Sequence, residues 1–479
     1  MASTRERPNI LLIMPDQMRG DCMSLAGHPV LVTPNIDQIG GAGAYFTQAY
    51  SSCASCIAAR RSLLTGQFPS THGMVGYREG VLLKSPVVTR LLRDSGYSTG
   101  IVGRYMHQWP YDEPYGFEKR VLGSIYILHD DYARTLEREA PMLGGIRGLG
   151  MSYNGWHAAP WPLPEYLHPT NWTVQQARGI IADHGPPDPL FLVCSFYSPH
   201  PPLIPPVFHM DRFLQMGLPA PAIGDWAKRP VNDGLGAGVD AHRVCLEGER
   251  LRRAQAGYFG LISHIDDHLY WLIHEFKEKS RSMKRPWVIV FTSDHGEMLG
   301  DHYFFRKCEP YAGGSLIPFL VQGSPELGLK AGVVCRRPVC LEDIMPTLLE
   351  LAGLPVPESA DGRSLVPTLR GADDEVRSYL HGEHAPCYSQ EQAYHFLTDG
   401  RMKYVWRPLD GSEQLFDLER DPRELHDLAQ DGNAHAVQPW RNRLIQHLGG
   451  RAEGFADGQR LIAGRPYDAV LPHASDVQT

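Results

Sequence analysis

Three short apolar runs, far apart in the chain, each end in polar residues of the kinds that hold metal ions or move protons. They are NILLIMPDQ, PLFLVCSFYSPH and PWVIVFTSDHG, which end at Asp16 and Gln17, at His200, and at Asp294 and His295. Continuous apolar runs of this length are typical of strands buried on both faces, as in a parallel sheet. Ligands of open α/β sheets bind beyond the carboxyl ends of the strands. We therefore expect these five residues to share one edge of a sheet.

Helical patterns lie between these apolar runs. The segment SPVVTRLLRDSGYSTGIVG predicts an amphipathic helix, a glycine break and a further strand, and RRAQAGYFGLISHIDDHLYWLIHEFKEK predicts a long helix. A third helix is predicted in LEDIMPTLLELAGLP, where Gly353 and Pro355 end it. The alternation of strands and helices predicts a doubly wound α/β core, with a large, mostly parallel sheet flanked by helices.

The pattern changes after the segment DGRSLVPTLRG. The segments YHFLTDGRMKYVWRP and EQLFDLERDP predict antiparallel strands joined by Asp-Gly turns, and AVQPWRNRLIQHL predicts a helix. We therefore predict an α/β domain over residues 1–374 and a smaller C-terminal α+β subdomain, an antiparallel sheet plus a helix, over residues 375–479. Residues 135–170 and 201–245, rich in Pro, Gly and Trp, are predicted to form long ordered loops.

The composition excludes several classes of protein. The net charge of -8 is spread along the 479 residues without a basic stripe, which argues against nucleic-acid binding. No apolar run reaches the roughly 18 residues that a membrane span needs, and the segment MASTRERPNILLIMPDQ lacks the cleavage site of a signal peptide. The nine cysteines are an odd number, without the density of a disulfide scaffold. We therefore expect a cytoplasmic protein that binds neither nucleic acid nor membrane.

The strongest local signal is the segment CIAARRSLLTG, which begins at Cys56 and has Arg60 four residues later. It resembles the signature of the sulfatase family, in which Cys-x-Pro-x-Arg directs the oxidation of the cysteine to formylglycine. Of the two neighbouring cysteines, only Cys56 has arginine at the required offset, because Cys53 has Ile57 there. The sequence departs from the pattern at Ala58, where the family usually has proline.

Further segments resemble blocks of the same family, in the family's order along nearly the whole chain. They are PNILLIMPDQMRGD, TPNIDQIGGAGAYFTQAY, FYSPHPPL, TSDHGEMLGDHYFFRK, DIMPTLLELAGLP and LFDLERDPRELHDLA. The chain thus resembles the formylglycine-dependent sulfatases of the alkaline phosphatase superfamily, close to bacterial arylsulfatases and phosphonate monoester hydrolases. This resemblance implies a catalytic domain over residues 1–374, a formylglycine-generating enzyme as partner, and a homo-oligomer.

The resemblance also implies a set of metal ligands. By position in the family blocks, one divalent cation is expected to be held by Asp16, Gln17, Asp294, His295 and the modified Cys56. Hard oxygen ligands suit Ca²⁺, Mn²⁺ or Mg²⁺. His295 stands where the family more often has Asn or Gln, which favours Mn²⁺.

Three residues match catalytic positions of the family. Arg60 is expected to anchor the nucleophile loop, and Lys307 to stabilise the charge of the transition state. His200 matches the histidine that protonates the departing alcohol oxygen, a task that suits a side chain with a pKa near neutrality. ARRSLLTG should begin a helix just after Cys56, whose free N–H groups would favour an anionic group.

The base that completes turnover is a histidine in the segment GKxH in many family members. Here the segment is GRYMHQW, with Arg104 at the lysine position, Met106 at the histidine position, and His107 one residue later. We assign His107 as the base, and Arg104 and Tyr105 as substrate-binding residues. Tyr105 and His107 also resemble the Tyr-x-Thr of phosphonate monoester hydrolases.

Two histidine-containing segments lie outside these blocks. His264 and His268 are four apart on the predicted long helix, but no HExxH motif is present, and we interpret them as structural. The segment LHGEH, with His381, Glu383 and His384, begins the C-terminal part and is a candidate contact for the leaving group.

Three functional hypotheses follow. The first is metal-dependent hydrolysis of small sulfate monoesters through a formylglycine hydrate, which releases sulfate and an alcohol or phenol. The second is hydrolysis of phosphonate monoesters or phosphodiesters at the same site, because both anions are tetrahedral and fit the same cation set. The third is a non-catalytic binding protein on a sulfatase fold, which applies if Ala58 prevents the maturation of Cys56.

Overall fold

A computed structural model describes residues 7–106, 110–124, 129–231, 238–372, 376–430 and 434–475. The strands of these residues are β1 (Asn9–Asp16), β2 (Ala44–Phe46), β3 (Ala49–Tyr50), β4 (Ser98–Gly103), β5 (Lys119–Leu122), β6 (Leu190–Pro199), β7 (Trp287–Thr292), β8 (Phe319–Gly323), β9 (Val333–Cys335), β10 (Val339–Cys340), β11 (Leu380–His384), β12 (Tyr394–Thr398), β13 (Met402–Trp406) and β14 (Glu413–Asp417). The α-helices are α1 (Pro34–Gly41), α2 (Cys56–Thr65), α3 (Pro69–His72), α4 (Val88–Asp94), α5 (Asp131–Glu139), α6 (Pro169–Asp183), α7 (Val207–Leu214), α8 (Gly248–Ser282), α9 (Ala312–Ser315), α10 (Ile344–Leu351), α11 (Val366–Leu369) and α12 (Ala434–Leu448).

The main sheet has eight strands in the order β5-β4-β6-β1-β7-β8-β2-β9. Its pairs are parallel except for the two that β8 makes with β7 and β2. The three apolar runs are β6, β1 and β7, which are adjacent at the centre of the sheet. The predicted large, mostly parallel sheet is therefore confirmed, and with it the shared edge at which the three runs end.

Both faces of the sheet are covered, because the side chains of a strand alternate between its two faces. In β1, Leu11 and Ile13 pack into one core with residues of α6 and α8. Ile10 and Leu12 pack into the opposite core with residues of α2, α4 and α10. Although α8 spans 35 residues, none of the described helices is both long and apolar enough to cross a membrane.

The predicted helices are confirmed, but the segments that were predicted to be loops are partly helical, because residues 135–139 belong to α5 and residues 169–170 to α6. The segment before β4 forms α4, and α10 ends at Leu351, two residues before Gly353, whose φ of 67° is left-handed. Residues 201–245 contain α7, which buries His209, Met210 and Phe213. Two prolines precede this helix of only two turns, and such a short periodic segment is hard to distinguish from loop.

The C-terminal part forms a separate four-stranded antiparallel sheet, in the order β11-β12-β13-β14, with α12 packed on it. The predicted Asp-Gly turns are present, with positive φ at Gly400 and Gly411. This sheet contacts the segment before α2 directly, because the backbone N–H of Glu383 donates to the carbonyl of Ser52 at 2.8 Å. The expected α+β character of this region is confirmed.

Candidate active site

The tips of the three central strands meet as expected. Asp16 is the last residue of β1, and Asp294 and His295 follow β7 by two and three residues. Ligand atoms of Asp16, Cys56, Asp294 and His295 all lie within 4.8 Å of one another, and the four side chains are buried. The structure thus brings the predicted nucleophile and three predicted metal ligands into one cluster, which we call the Cys56 cluster.

Cys56 is the first residue of α2, and three cationic or imidazole groups converge on its sulfur. Lys307 Nζ lies 2.9 Å from Cys56 Sγ, His295 Nε2 lies at 3.2 Å and Arg104 Nη2 at 3.5 Å. Burial and the charge of Asp16 raise the pKa of the Cys56 thiol, but Lys307, Arg104 and His295 outweigh them and lower it below 9.0. The surroundings therefore stabilise negative charge at this position, as does the amino end of a helix.

Arg60 lies one turn further along α2 and is fully buried between two carboxylates. Its Nη2 lies 2.7 Å from Asp16 Oδ2, its Nε lies 2.9 Å from Asp294 Oδ2, and its Nη1 donates to Ser195 Oγ at 3.2 Å. A single guanidinium therefore ties α2 to the ends of β1 and β7 and to β6. This arrangement agrees with the anchoring role expected for Arg60.

The ligand atoms of the cluster fit a divalent cation. Asp16 Oδ1 is buried and has no hydrogen-bond partner in the described part of the chain. Burial opposes the ionisation of Asp16, yet Arg104, Arg60 and Lys307 hold its pKa well below the usual range, so it is a carboxylate. His295 Nδ1 lies 2.9 Å from the carbonyl of Gly296, and this contact orients the ring so that Nε2 faces the cluster as the ligand atom for a cation.

Gln17 adopts a positive φ of 69° directly after β1. Its backbone N–H donates to Asp294 Oδ1 at 3.0 Å, and its carbonyl accepts from the hydroxyl of Tyr258 at 2.7 Å. Its side-chain Oε1 accepts from Lys307 Nζ at 3.2 Å, and its Nε2 donates to Glu297. Tyr258 and Glu297, which sequence reasoning missed, thus hold Gln17 in place.

Lys307 and His200 reach the cluster from two loops. The N–H of Cys308 donates to the carbonyl of Ala54 at 3.1 Å, which ties the Lys307 segment to the residues just before Cys56. The N–H of His200 donates to the carbonyl of Asp16 at 3.1 Å, and its Nδ1 lies 2.8 Å from the carbonyl of Pro201. Burial, together with Lys307 and Arg104, lowers the pKa of His200 well below 6.5, so the ring is neutral without substrate.

The three residues predicted to act in the GRYMHQW segment differ in what the structure shows for them. Arg104 joins the cluster, because its Nε lies 2.9 Å from Asp16 Oδ2 and its Nη2 faces Cys56. The hydroxyl of Tyr105 donates to the carbonyl of Glu113, and the structure does not bring it to Cys56. His107, the predicted base, lies outside the described residues.

In the LHGEH segment, which is β11, His384 and Glu383 have different surroundings. His384 is buried, and the charges of His295 and Lys307 act on it. Burial lowers the pKa of His384 to about 4, and within the described residues its Nε2 has no hydrogen-bond partner. Glu383 is instead paired with Arg451, whose Nη2 lies 2.6 Å from Glu383 Oε2. Of this segment, His384 is therefore the stronger candidate for a contact with the substrate.

Comparisons with known proteins agree with this geometry. The sequence model of the sulfatase family matches residues 8–354, and that of the C-terminal region of N-sulphoglucosamine sulphohydrolase matches residues 300–449. An arylsulfatase of Clostridium perfringens is 36% identical over 482 residues, which cover 97% of this chain and 99% of that enzyme. A choline-sulfatase of Rhizobium meliloti is 29% identical over 449 residues, covering 89% of this chain and 83% of that enzyme.

A solved structure shows the same fold. The phosphonate monoester hydrolase of Agrobacterium radiobacter superposes with a TM-score of 0.75 at 26% identity, over 92% of this chain and 95% of that one. The family match and the arylsulfatase both span most of the sequence, and the fold is shared with a solved relative. The chain therefore belongs to the sulfatase family of the alkaline phosphatase superfamily and is a sulfuric ester hydrolase.

Proposed function

We propose that this chain hydrolyses small sulfate monoesters through a formylglycine formed from Cys56, and releases sulfate and an alcohol or phenol. The observation that carries the proposal is the convergence of Lys307, Arg104 and His295 on Cys56 Sγ within 3.5 Å in a buried site. A thiol used only for packing needs no cations around it. A nucleophile that attacks an anionic ester does need them, because negative charge develops there.

A divalent cation completes this proposal. Asp16, Gln17, Asp294 and His295 would hold it, together with the modified residue 56, and the buried Asp16 Oδ1 without a hydrogen-bond partner among the described residues supports that assignment. When bound, the cation lowers the pKa of a hydroxyl on it and neutralises developing charge. The one imidazole favours Mn²⁺, and the three oxygen donors also fit Ca²⁺ or Mg²⁺.

The side chains around Cys56 take separate roles. Lys307 and Arg104 bind the oxygens of the sulfate group, and Arg60 holds the carboxylates of Asp16 and Asp294 in place. His200 holds the proton that goes to the departing oxygen. A bound sulfate ester brings a negative charge that offsets Lys307 and Arg104, which raises the pKa of His200 when the proton is needed.

Several finer assignments belong to the same proposal. His107 is the proposed base of turnover, and Tyr105 is a proposed substrate contact. A formylglycine-generating enzyme is the proposed partner that modifies Cys56, and a homo-oligomer is the proposed assembly. We propose residues 1–374 as the catalytic domain and 375–479 as the C-terminal subdomain, because the antiparallel sheet begins at β11, shortly after residue 375.

A second candidate function is the hydrolysis of phosphonate monoesters or phosphodiesters. It is favoured by the similarity to the phosphonate monoester hydrolase of Agrobacterium radiobacter, at 26% identity and a TM-score of 0.75. The arylsulfatase of Clostridium perfringens, at 36% identity, favours the sulfate ester. Assaying an aryl sulfate beside a phenyl phosphonate ester compares the two, and turnover of the phosphonate ester alone would make the second function the main one.

Mass spectrometry of the matured protein tests the nucleophile. The tryptic peptide that ends at Arg60 contains Cys22, Cys53 and Cys56, so fragmentation is needed to place the change. We expect the mass loss of formylglycine at residue 56 alone, together with aryl sulfate turnover. An unmodified Cys56 in protein from a competent host, without activity, would instead identify a non-catalytic binding protein in which Ala58 blocks maturation.

A further inference from the structure

A second group of metal-ligand side chains lies apart from the Cys56 cluster. His264 and His268 are one turn apart on α8, and Glu165 lies in the short 3-10 turn Glu165–Leu167 that precedes α6. Ligand atoms of these three residues lie within 4.8 Å of one another, and the group shares no residue with the Cys56 cluster. Glu165 is separated from the histidines by about a hundred residues of sequence, so the fold alone brings the three together.

The three ligand atoms form a nearly equilateral triangle. His264 Nε2 lies 3.0 Å from His268 Nε2, and Glu165 Oε1 lies 3.1 Å from the first and 3.3 Å from the second. Ligands bound at about 2.1 Å to a tetrahedral zinc ion lie about 3.4 Å from one another. The triangle therefore has the size of one face of a metal coordination shell, within a few tenths of an ångström.

Hydrogen bonds alone do not satisfy this triangle. The carboxylate corner only accepts, and each neutral imidazole either donates or accepts at Nε2. If one ring donates, the other faces the carboxylate with a lone pair; if both donate, their N–H groups face each other; if neither donates, three lone pairs converge. With Glu165 as a carboxylate, a cation at the centre makes all three edges favourable, which no assignment of the imidazole protons achieves.

A neighbouring amide provides a candidate fourth ligand. Asn171, on α6, has its Nδ2 3.4 Å from His268 Nε2. Its Oδ1 is buried and has no hydrogen-bond partner in the residues that the structure describes. Because the two ends of an amide have nearly the same shape, a half-turn places the oxygen beside His268 Nε2 instead.

We propose that Glu165, His264 and His268 bind one zinc ion at a site separate from the Cys56 cluster. Two imidazole nitrogens and one carboxylate oxygen are a common zinc ligand set, and borderline-soft nitrogen ligands select against Ca²⁺ and Mg²⁺. Glu165 has about half of its side chain exposed, at 53%, so an ion can enter from solvent.

The site would fasten a long loop to the core. Glu165 directly follows the stretch of residues 151–164, where the N–H groups of Ala159 and Trp161 donate to the carbonyls of Leu203 and Pro205 at 3.1 and 2.8 Å. Residues 201–205 follow His200 directly, so this loop also packs on the segment that carries the proposed acid. An ion at Glu165 thus holds the loop to α8 and supports the folded state without taking part in the reaction.

Zinc content of the full-length, tag-free protein tests this inference. Protein equilibrated with zinc and then desalted is compared with His268→Ala and Glu165→Ala by elemental analysis. We expect each variant to hold about one zinc ion fewer per chain than the wild type, with aryl sulfate turnover within about twofold because neither residue touches the Cys56 cluster. Glu165→Ala lies on an exposed turn, so it keeps the test valid if His268→Ala fails to fold.

Asp267→Asn is the matched control, because it removes a charge from α8 beside His268 without removing a ligand of the triangle. After chelation, added zinc should raise the thermal midpoint of the wild type and of this control more than that of His268→Ala. Equal zinc content in the wild type and both ligand variants would overturn the inference. An equal rise in the thermal midpoint of all proteins would do the same, because the zinc would then bind elsewhere.

Discussion

Two buried arginine–carboxylate centres differ in whether every carboxylate oxygen has a hydrogen-bond partner among the described residues. This difference distinguishes the candidate active site from a structural ion pair. In the C-terminal sheet, Arg451 binds both oxygens of Glu383, at 3.0 and 2.6 Å, and the hydroxyl of Tyr467 donates to the same carboxylate. In the Cys56 cluster, Arg60 takes one oxygen each from Asp16 and Asp294. Among the described residues Asp16 Oδ1 is left without a hydrogen-bond partner, so it remains available for a ligand.

Electrostatics alone would not have distinguished the two centres. Burial raises the pKa of Glu383, and Arg451 and His381 lower it to about 2. Asp16 is likewise penalised by burial and held ionised by Arg104, Arg60 and Lys307. Both carboxylates are thus ionised at neutral pH, and the number of acceptor atoms left over is what differs. A buried ion pair whose acceptors are all used serves the fold, whereas one with an acceptor to spare can hold a metal ion.

The largest expected effect comes from removing the proposed nucleophile. Cys56→Ala should lower kcat/KM for an aryl sulfate by at least about 10⁴-fold, because the residue that attacks the ester is gone. The thermal midpoint should stay close to that of the wild type, since the change deletes one small side chain. Cys53→Ala is the matched control, because Cys53 is equally buried but has no arginine at the maturation offset. Full activity of Cys56→Ala would contradict the assignment.

The next largest effect should be on the free energy of unfolding, with aryl sulfate turnover unchanged. Glu383→Gln leaves Arg451 buried without its partner, so we expect a loss of about 3–5 kcal/mol in the free energy of unfolding at pH 7. The folded pKa of about 2 lies below the ordinary 4.5, so this contribution is present above pH 4.5 and is lost as the pH falls towards 2. Urea unfolding at pH 7 and pH 3 should show the difference between wild type and variant shrinking with acid.

The control for Glu383→Gln is an exposed pair with the same two-bond geometry. Glu419 in the same sheet region accepts from Arg401 at 3.0 Å with each oxygen, but both side chains are exposed. Glu419→Gln should leave unfolding unchanged, because water screens such pairs. If the two variants lost equal stability, burial would not be the cause.

Local sequence patterns predict two features of the Cys56 cluster, namely the meeting of the strand ends and the identity of the nucleophile. The apolar runs that end at Asp16 and Asp294 predict that these two strand ends meet. Strands buried on both faces lie at the centre of a parallel sheet, where their carboxyl ends share one edge. The maturation motif singles out Cys56 from Cys53. Neither signal needs any knowledge of how distant segments pack.

Other parts could not be predicted, because they depend on where distant side chains point. Tyr258 faces inward from α8 and donates to Gln17, 241 residues away, with no local mark of that role. Glu165 completes the triangle with His264 across 99 residues, so the HxxxH pair alone gave no reason to expect a third ligand. Tyr105 lies in the expected segment, yet its hydroxyl is turned to the carbonyl of Glu113.

Two buried lysines allow the same comparison between the candidate active site and a structural ion pair. Lys307→Met should lower kcat for an aryl sulfate by about 10²–10³-fold, because one preorganised donor to the transition state is lost. Lys403, in β13, is buried on Glu424 at 2.8 Å, so Lys403→Met should lower the thermal midpoint with little change in kcat. Steady-state kinetics and thermal unfolding of both variants measure this, and a loss of kcat in Lys403→Met would remove the distinction.

The smallest effects come from deleting one hydroxyl at each centre. Tyr467→Phe removes a hydrogen bond to the ionised Glu383, so we expect a loss of about 2 kcal/mol in the free energy of unfolding and unchanged kcat. Tyr258→Phe removes the bond that holds the carbonyl of Gln17, so it should weaken binding of the proposed catalytic cation by about 10-fold or more. Metal titration of the chelated protein, followed by activity, separates the two, because only the second variant should require more metal. If Tyr467→Phe required as much extra metal, the C-terminal centre would contribute to the active site and the division between the two centres would not hold.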